Sequence, residues 1–230
     1  MRFNYLIGSL QEISKAVPRT LFTALVIMVL AIALGALLAV FRVKKIKVLN
    51  FLSKVLVTYV RGTPPVVQLL IVYYSLPSII VYVAKLVFGK SMTTYDVPGM
   101  VSLIVAFVIC MAGYQCEVIR GALNSVDYGQ MEAGQAVGMT EKQAMWRIIL
   151  PQVLNVAIPG FFTYYMSTVK VMSLGFMLQI VDIMAAAKLY SAVIVRFTES
   201  YVAAAIVYWF IGVALTFAFN KWEKRNKAAS

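Results

Sequence analysis

Long stretches without a charged residue constrain the fold of this 230-residue chain more than any other feature. Five such runs lie between flanking charges, at 21–41, 62–84, 97–116, 148–169 and 200–220. Each contains roughly the 20 residues that a helix needs to cross about 30 Å of hydrocarbon. We therefore predict an all-α integral membrane protein with about five transmembrane helices, at about 20–41, 62–84, 97–119, 148–170 and 200–220.

The composition excludes a soluble domain and a nucleic-acid partner. Hydrophobic residues make up 62% of the chain and charged residues 13%, whereas globular proteins are about 45–50% apolar and about 25% charged. The net charge of +12 would favour nucleic-acid binding only if Lys and Arg formed an exposed face. In this sequence they lie between apolar runs instead. Because the chain has no histidine, and Cys110 and Cys116 lie roughly 9 Å apart along one predicted helix, we expect neither a metal site nor a disulfide.

The other segments complete one transmembrane domain over residues 1–230. Apolar residues at helical spacing predict an amphipathic helix over 1–19 that lies along the outer membrane face. Asp182 and Lys188 interrupt the apolar stretch 171–195, which we interpret as a re-entrant or interfacial segment, with a sixth span as the alternative. In the first span, small residues every fourth position predict close packing against another helix: Ala31, Gly35 and Ala39.

Orientation follows from the basic residues of short connections, because these residues resist translocation. The first connection and the tail are rich in them: Arg42, Lys44, Lys45, Lys47, Lys54, Lys221, Lys224, Arg225 and Lys227. The second and fourth connections hold fewer: Lys85, Lys90, Lys188 and Arg196. We therefore expect the N-terminus outside and the C-terminus in the cytoplasm, although the N-terminal helix carries basic residues that count against this: Arg2, Lys15 and Arg19.

This orientation makes the third connection, 120–147, cytoplasmic. Asp127 followed by Gln130 is a helix-start signal, and Gly138 can end that helix in a left-handed conformation. Thr140 then caps a second helix, with Gln143 three residues on, that continues into the fourth span at Pro151. The apolar side of the first helix has nothing inside the chain expected to cover it: Met131, Ala133, Ala136 and Val137. The helix is predicted either to dock a cytoplasmic partner or to rest on lipid headgroups.

A spaced motif in this connection resembles a known family. Its residues are Glu132-Ala133-Gly134, then Gly138, then Ile148, Leu150 and Pro151. They resemble the EAA loop of the membrane subunits of bacterial ABC importers, which reads EAA, three residues, Gly, nine residues, Ile-x-Leu-Pro. The single departure is Gly134 in place of the second alanine. Glu117–Val126 and Arg61–Gln68 resemble further signatures of the polar amino acid branch, so the resemblance covers nearly the whole chain.

The resemblance implies the fold and the partners. It implies the type I ABC importer permease fold in the bacterial cytoplasmic membrane, with Glu132, Ala133, Gly134 and Gly138 in a coupling helix that contacts the ATPase. The implied partners are two ATP-binding cassette subunits, a second permease subunit that is either a second copy or a paralogue, an extracytoplasmic solute-binding protein, the amino acid and membrane lipid.

No cofactor is expected on this chain, because ATP and Mg belong to the partner ATPase. The nearest match to a phosphate-binding loop, Gly89-Lys90-Ser91, has Ala84 where the first glycine would be needed. The chain is therefore not expected to be an enzyme. A small secondary transporter or channel is the rival class, and it would predict inverted repeats that five spans do not provide.

Lys170 is the leading substrate-binding candidate, because an ionisable residue within a span is costly and usually functional. It resembles the lysine that the family implicates in holding the amino acid carboxylate, and Ser173 also matches that element. The alternative is a lysine that extends its ammonium to the membrane surface. Val171 and Met172 stand where the family commonly has Asp and Thr, which disfavours a cationic substrate.

The segment that follows Lys170 points to one substrate. Residues 173–176 and 180–188 resemble the cystine members of the branch, so L-cystine or a related neutral amino acid is the expected substrate. Asp182 and Lys188 are expected in an outer gate segment, or else in a solvated loop.

Three further residues are weaker substrate-binding candidates, each with a structural alternative. Glu117 can instead pair with Arg120 along its own helix. Gln68 and Gln115 can line the pathway or hydrogen-bond a neighbouring helix.

Overall fold

The computed structural model describes residues 3–127 and 129–227. Met1 and Arg2 of the predicted 1–19 helix, Tyr128 of the third connection and residues 228–230 lie outside the described part. The described residues are mostly helical and contain no strand, which confirms the all-α class. The α-helices are α1 Phe3–Ser14, α2 Val17–Val43, α3 Lys47–Gly62, α4 Pro65–Phe88, α5 Gly99–Ser125, α6 Gly129–Ala136, α7 Glu141–Ala144, α8 Leu150–Val171, α9 Ile183–Ile194 and α10 Phe197–Lys227.

Five helical segments of the described chain are long and apolar enough to cross a membrane, as predicted. They are Val17–Val43, Pro65–Phe88, Gly99–Ser125, Glu141–Leu178 and Phe197–Asn226. The helix bounds differ from the predicted ones because proline and glycine residues, and not the nearest charged residues, set the ends of helices such as α4. Pro64 keeps extended backbone and Pro65 starts α4, where a missing N–H costs nothing. Gly89 ends α4 in the left-handed region at φ 61°.

The chain divides into two compact units. In the described residues, the first unit comprises 3–25 and 166–227, and the second comprises 26–165. In the first unit, α1 packs against α9 and α10, with Ile13 fully buried and the hydroxyls of Ser9 and Ser200 3.1 Å apart.

The prediction of one amphipathic helix over 1–19 is wrong in its extent. Its helix ends at Ser14, and the chain turns so that Val17 already begins the first long helix. Part of its surface is nevertheless open, since Phe3 is 72% exposed.

In the second unit, the small residues of α2 pack closely on α5, as predicted. A Cβ atom on Gly35 would lie 2.6 Å from the Cβ of Gln115 and 2.9 Å from the backbone nitrogen of Cys116. Ala31 and Ala39 are fully buried. Only a residue without a side chain permits this approach of the two helices.

Helix α3 was not predicted, because its residues looked like a basic connection. It packs on α5 through Ser53, Val57 and Val60, which are all buried. A Cβ on Gly113 of α5 would lie 2.8 Å from the side chain of Val60. Its basic residues lie beside this buried stripe, so a charged segment still forms a helix that packs on the protein.

The segment after α8 is short of a membrane span. A 3₁₀ helix covers Met172–Leu178, and α9 follows with 12 residues, or about 18 Å. A sixth span over 171–195 is thus excluded by length.

Candidate functional site

The third connection forms a corner whose local signals behave as predicted. The carboxylate of Asp127 accepts the Gly129 N–H at 3.0 Å at the start of α6. Gly138 adopts the left-handed region at φ 87°, and the next N–H, of Met139, donates to the Gly134 carbonyl at 3.0 Å. The chain therefore leaves α6 by a hydrogen-bonded glycine turn.

The second helix of the corner begins with the predicted capping box. The Gln143 N–H donates to the Thr140 hydroxyl at 3.3 Å, and the Thr140 N–H donates to the Gln143 side chain at 2.9 Å. This exchange satisfies N–H groups that the first helical turn leaves without partners. It fixes the direction in which α7 leaves the turn at Gly138.

A π turn over Met145–Ile149 joins α7 to α8. The Leu150 N–H donates to the Met145 carbonyl, one residue farther back than in an α-helix. Pro151 follows directly, and its ring would crowd the carbonyl of Arg147 in a regular α-helix. The wider turn keeps the helix continuous from the corner into the fourth span.

The corner is held to the rest of the second unit by a small apolar cluster. Met131 of α6 is 8% exposed and packs with Ala122, Ala144, Ile149, Val153 and Ala157. The prediction that nothing in the chain covers this side of α6 is therefore wrong for Met131, because the start of α8 folds back against it.

Gly134 lies at the tightest point of the corner. A Cβ there would lie 3.0 Å from the Cδ1 of Ile148 and 3.1 Å from the Cβ of Ala144. The departure from the EAA pattern at this position thus coincides with an unusually close helix contact.

Among the exposed residues of the corner, we name the following five the corner surface: Glu132, Ala133, Ala136, Val137 and Gly138. Val137 is 76% exposed. An apolar side chain this open, beside a carboxylate and on a braced turn, is suited to contact with another molecule.

Glu117 is held by two guanidinium groups. Its Oε2 accepts from Arg120 at 2.7 Å, which confirms the pair along α5, and its Oε1 accepts from Arg42 of α2. The second partner is 75 residues away in sequence and was not predicted. Both carboxylate oxygens are therefore occupied, which favours the structural alternative for Glu117.

The two candidate glutamines hydrogen-bond the chain itself. The Gln68 amide nitrogen lies 2.9 Å from the Val60 carbonyl, 3.0 Å from the Thr63 carbonyl and 2.9 Å from the Thr63 hydroxyl. It ties the first turn of α4 to the end of α3. Gln115 is completely buried, and its amide nitrogen donates to the Met28 sulfur at 3.4 Å.

Lys170 lies in the last turn of α8, in the first unit. It is exposed and lines a cavity of about 610 Å³ whose other walls include Tyr208, Thr216 and Asn220 of α10. It forms no ion pair with any residue that the structure describes. Ser173 is half-buried in the 3₁₀ helix that follows.

Asp182 is a helix cap and not part of a solvated loop. Only 2% of it is exposed; its carboxylate accepts the Ala185 N–H at 2.8 Å and the Tyr208 hydroxyl at 3.4 Å. Lys188 lies with its ammonium 4.7 Å from the ring centre of Phe176. These contacts tie α9 to its neighbours in the first unit.

Sequence reasoning missed a second cavity, of about 640 Å³, in the second unit. We name it the basic cavity, and its charged walls are Arg42, Lys54, Arg61 and Glu117. The available signal was that Arg42, Arg61 and Glu117 each lie directly next to the end of a charge-free run. No three metal-ligating side chains group together among the described residues.

Comparison with protein families gives a match over residues 31–227 to the family described as binding-protein-dependent transport system inner membrane component. The chain is 35% identical to a probable amino-acid permease protein, YxeN, of Bacillus subtilis (strain 168), over 96% of this chain and 94% of that protein. It is 36% identical to a probable amino-acid ABC transporter permease protein, PatM, of Vibrio harveyi, over 98% and 97% of the two chains. It is 31% identical to an L-cystine transport system permease protein, TcyL, of Bacillus subtilis (strain 168), over 91% and 85%.

Solved structures share the fold. A chain of an amino acid ABC transporter, crystallised with histidines, superposes with a TM-score of 0.82 at 23% identity, covering 98% of this chain and 99% of that one. A chain of the MetNI methionine ABC transporter, in an inward-facing conformation, gives a TM-score of 0.62 at 17% identity, over 97% and 96% of the two chains.

Proposed function

Because this chain belongs to the family of binding-protein-dependent transport system inner membrane components, we propose that it is the permease subunit of an ATP-driven importer for an amino acid. The family consists of membrane subunits of transporters and not of enzymes. In this role the chain forms part of the pathway, and a separate ATP-binding cassette subunit hydrolyses ATP. The relatives named as amino-acid permeases support the class of substrate.

The observation that carries the proposal is the braced corner between α6 and α8. An energy-transmitting contact needs an exposed docking face and a stiff connection to the helix that must move. The corner surface provides the face. The left-handed Gly138, the Thr140 cap and the apolar cluster around Met131 provide the stiffness.

In the proposed cycle, α6 is the coupling helix. When two ATPase subunits close on ATP, each pulls on the α6 that it contacts. Because α6 is tied through α7 and the π turn to α8, the pull moves a membrane span directly. A second permease subunit, either another copy or a paralogue, completes the pathway, and an extracytoplasmic binding protein delivers the amino acid as the pathway opens outward.

Lys170 is the proposed partner of the substrate carboxylate. Its ammonium has no acidic partner among the described residues and lines an open cavity. Val171 supplies no negative charge for a cationic side chain. L-cystine is the proposed substrate, supported by a permease of that name at 31% identity. Competition assays with the matching binding protein test this point, and displacement by a basic amino acid with cystine inactive would contradict it.

The chain is proposed to have its N-terminus outside and its C-terminus in the cytoplasm, in the bacterial inner membrane. Single cysteines at Lys45 and Gln130, in a chain with Cys110 and Cys116 replaced, are expected to be shielded from an impermeant thiol reagent in intact cells. A cysteine at Lys90 is expected to react. Labelling at 45 and 130 with protection at 90 would show that the topology is the reverse of the proposed one.

The proposed coupling is tested by copurification and uptake. A tagged chain in mild detergent is expected to retain an ATP-binding cassette subunit, and Glu132→Lys is expected to weaken that retention or to uncouple ATP hydrolysis from uptake. Glu12→Lys makes the same substitution at a partly exposed position of α1, where only a weak surface pair with Lys15 is lost. Retention and coupled uptake equal to the parent in Glu132→Lys would reject the coupling role.

A further inference from the structure

The basic cavity has more positive than negative charge, and nothing in the transport cycle above uses it. Three of its wall residues are cations and one, Glu117, is an anion. Glu117 is already engaged by Arg42 and Arg120. Lys54 and Arg61 form no ion pair with any residue that the structure describes, and both are exposed.

The unpaired cations share one face of α3. Lys54, Thr58 and Arg61 follow one another at intervals of four and three residues, which places them along one side of a helix. Lys54 and Arg61 are about 10 Å apart along the axis, with the Thr58 hydroxyl between them. Two long flexible cations can therefore converge on one anionic group, to which the hydroxyl can also donate.

The sequence places this cavity at the boundary of the hydrocarbon layer. Arg42 is the first charge after the run 21–41, Arg61 is the last charge before the run 62–84, and Glu117 is the first charge after the run 97–116. Three runs thus end at the walls of one cavity. The phosphates of membrane lipids lie at this level.

The surface around the cations is apolar. Phe51 of α3 is 64% exposed and lies three residues before Lys54, and Val55 is 51% exposed and lies three residues before Thr58, so both adjoin the cations along the helix. A free inorganic anion gains nothing from such a surface, whereas the acyl chains of a lipid bury it. Both parts of a phospholipid therefore find a complementary surface here.

We propose that the basic cavity binds the phosphodiester headgroup of an anionic phospholipid through Lys54, Thr58 and Arg61, with the acyl chains against the apolar residues of α3. An anionic lipid is preferred to a zwitterionic one because the cavity already carries excess positive charge, which repels a headgroup ammonium. With the proposed orientation, the lipid belongs to the cytoplasmic leaflet.

The test measures lipid retained by the purified full-length chain. The chain is titrated in mild detergent with phosphatidylglycerol or phosphatidylcholine, and bound lipid is counted by native mass spectrometry. We expect preferential binding of phosphatidylglycerol and about a 30-fold loss of apparent affinity in the K54Q/R61Q double variant. The charge-preserving K54R/R61K variant is expected to retain the lipid. A matched control, K221Q/K224Q, removes two cations from the end of α10 and is expected to bind as the parent does.

Five outcomes would overturn the proposal. Equal retention of the two lipids, or unchanged affinity in K54Q/R61Q, would show that the cavity selects no anionic lipid. Displacement of phosphatidylglycerol by millimolar inorganic phosphate would identify a site for a free anion. Displacement by the transported amino acid would make the cavity part of the solute pathway. A disulfide between two copies carrying Thr58→Cys, with Cys110 and Cys116 replaced, would show that protein closes it.

Discussion

The candidate residues of the corner at 129–151 and those of the segment at 170–188 lie in contrasting structural environments. In the corner, Glu132 and Gly138 lie on a turn that backbone hydrogen bonds, a capping box and an apolar cluster all hold. Lys170 instead lies exposed on a cavity wall with no ionic partner among the described residues. One chain thus braces the proposed coupling element by itself, whereas Lys170 of the proposed solute site has no ionic partner among the described residues. A pathway formed between two permease subunits would produce this difference.

Lys170→Met gives the largest effect expected from this comparison. The substitution removes the charge and keeps an apolar stem, so a lost charge-assisted contact of about 1.5–3 kcal/mol raises the half-saturation of uptake about tenfold or more. Assembly with the ATPase and basal ATP hydrolysis are expected to persist. The measurement is uptake as a function of amino acid concentration.

The matched control for this variant is Lys85→Met. Lys85 is also an exposed lysine in the last turn of a long apolar helix, and it is expected to tolerate the change. If the Lys170→Met and Lys85→Met variants both transport with the half-saturation of the parent, Lys170 does not contact the substrate. Its ammonium then only extends to the membrane surface.

Gly138→Ala tests the stiffness of the corner. A side chain at φ 87° costs about 1–2 kcal/mol, so the thermal unfolding temperature in detergent and the coupling of ATP hydrolysis to uptake are both expected to fall. Gly121→Ala is the control, because a Cβ at Gly121 meets nothing within 4 Å and alanine favours a helix interior by up to about 1 kcal/mol. Equal unfolding temperatures for the two variants would show that the turn is not constrained.

Thr140→Ala has the smallest expected effect in this series. Loss of an N-cap costs about 1 kcal/mol, and the exposed amides of α7 are expected to exchange faster with deuterium while uptake weakens only slightly. Thr93→Ala removes a comparable capping box that Thr93 forms with Asp96, and it is expected to leave exchange in α7 unchanged. Faster exchange in α7 for both variants would mean that the cap does not act locally.

Local signals in the sequence predicted what neighbouring residues determine. Asp127, Gly138 and the pair Thr140 and Gln143 act within a few residues of one another, and the structure confirms each. The number of long helices also followed from the sequence, since it depends on the length of each apolar run.

The features that were missed depend on contacts between distant residues. Arg42 reaches Glu117 across 75 positions, and Met131 is covered only because the start of α8 folds back on α6. Long-range pairings of this kind leave no pattern in a single sequence. Helix α3 is a different case, because its apolar residues do recur at helical spacing, and its basic residues led to its interpretation as a connection.

Contact between the corner surface and the ATPase is the central claim, and photocrosslinking tests it most directly. A photoreactive residue placed at Val137, which is 76% exposed, is expected to form an adduct with the ATP-binding cassette subunit in the assembled transporter. The same residue at Val193 of α9, which is 79% exposed, is expected to form none. Adducts at Val137 with lipid alone, in a preparation that hydrolyses ATP and transports, would contradict the claim.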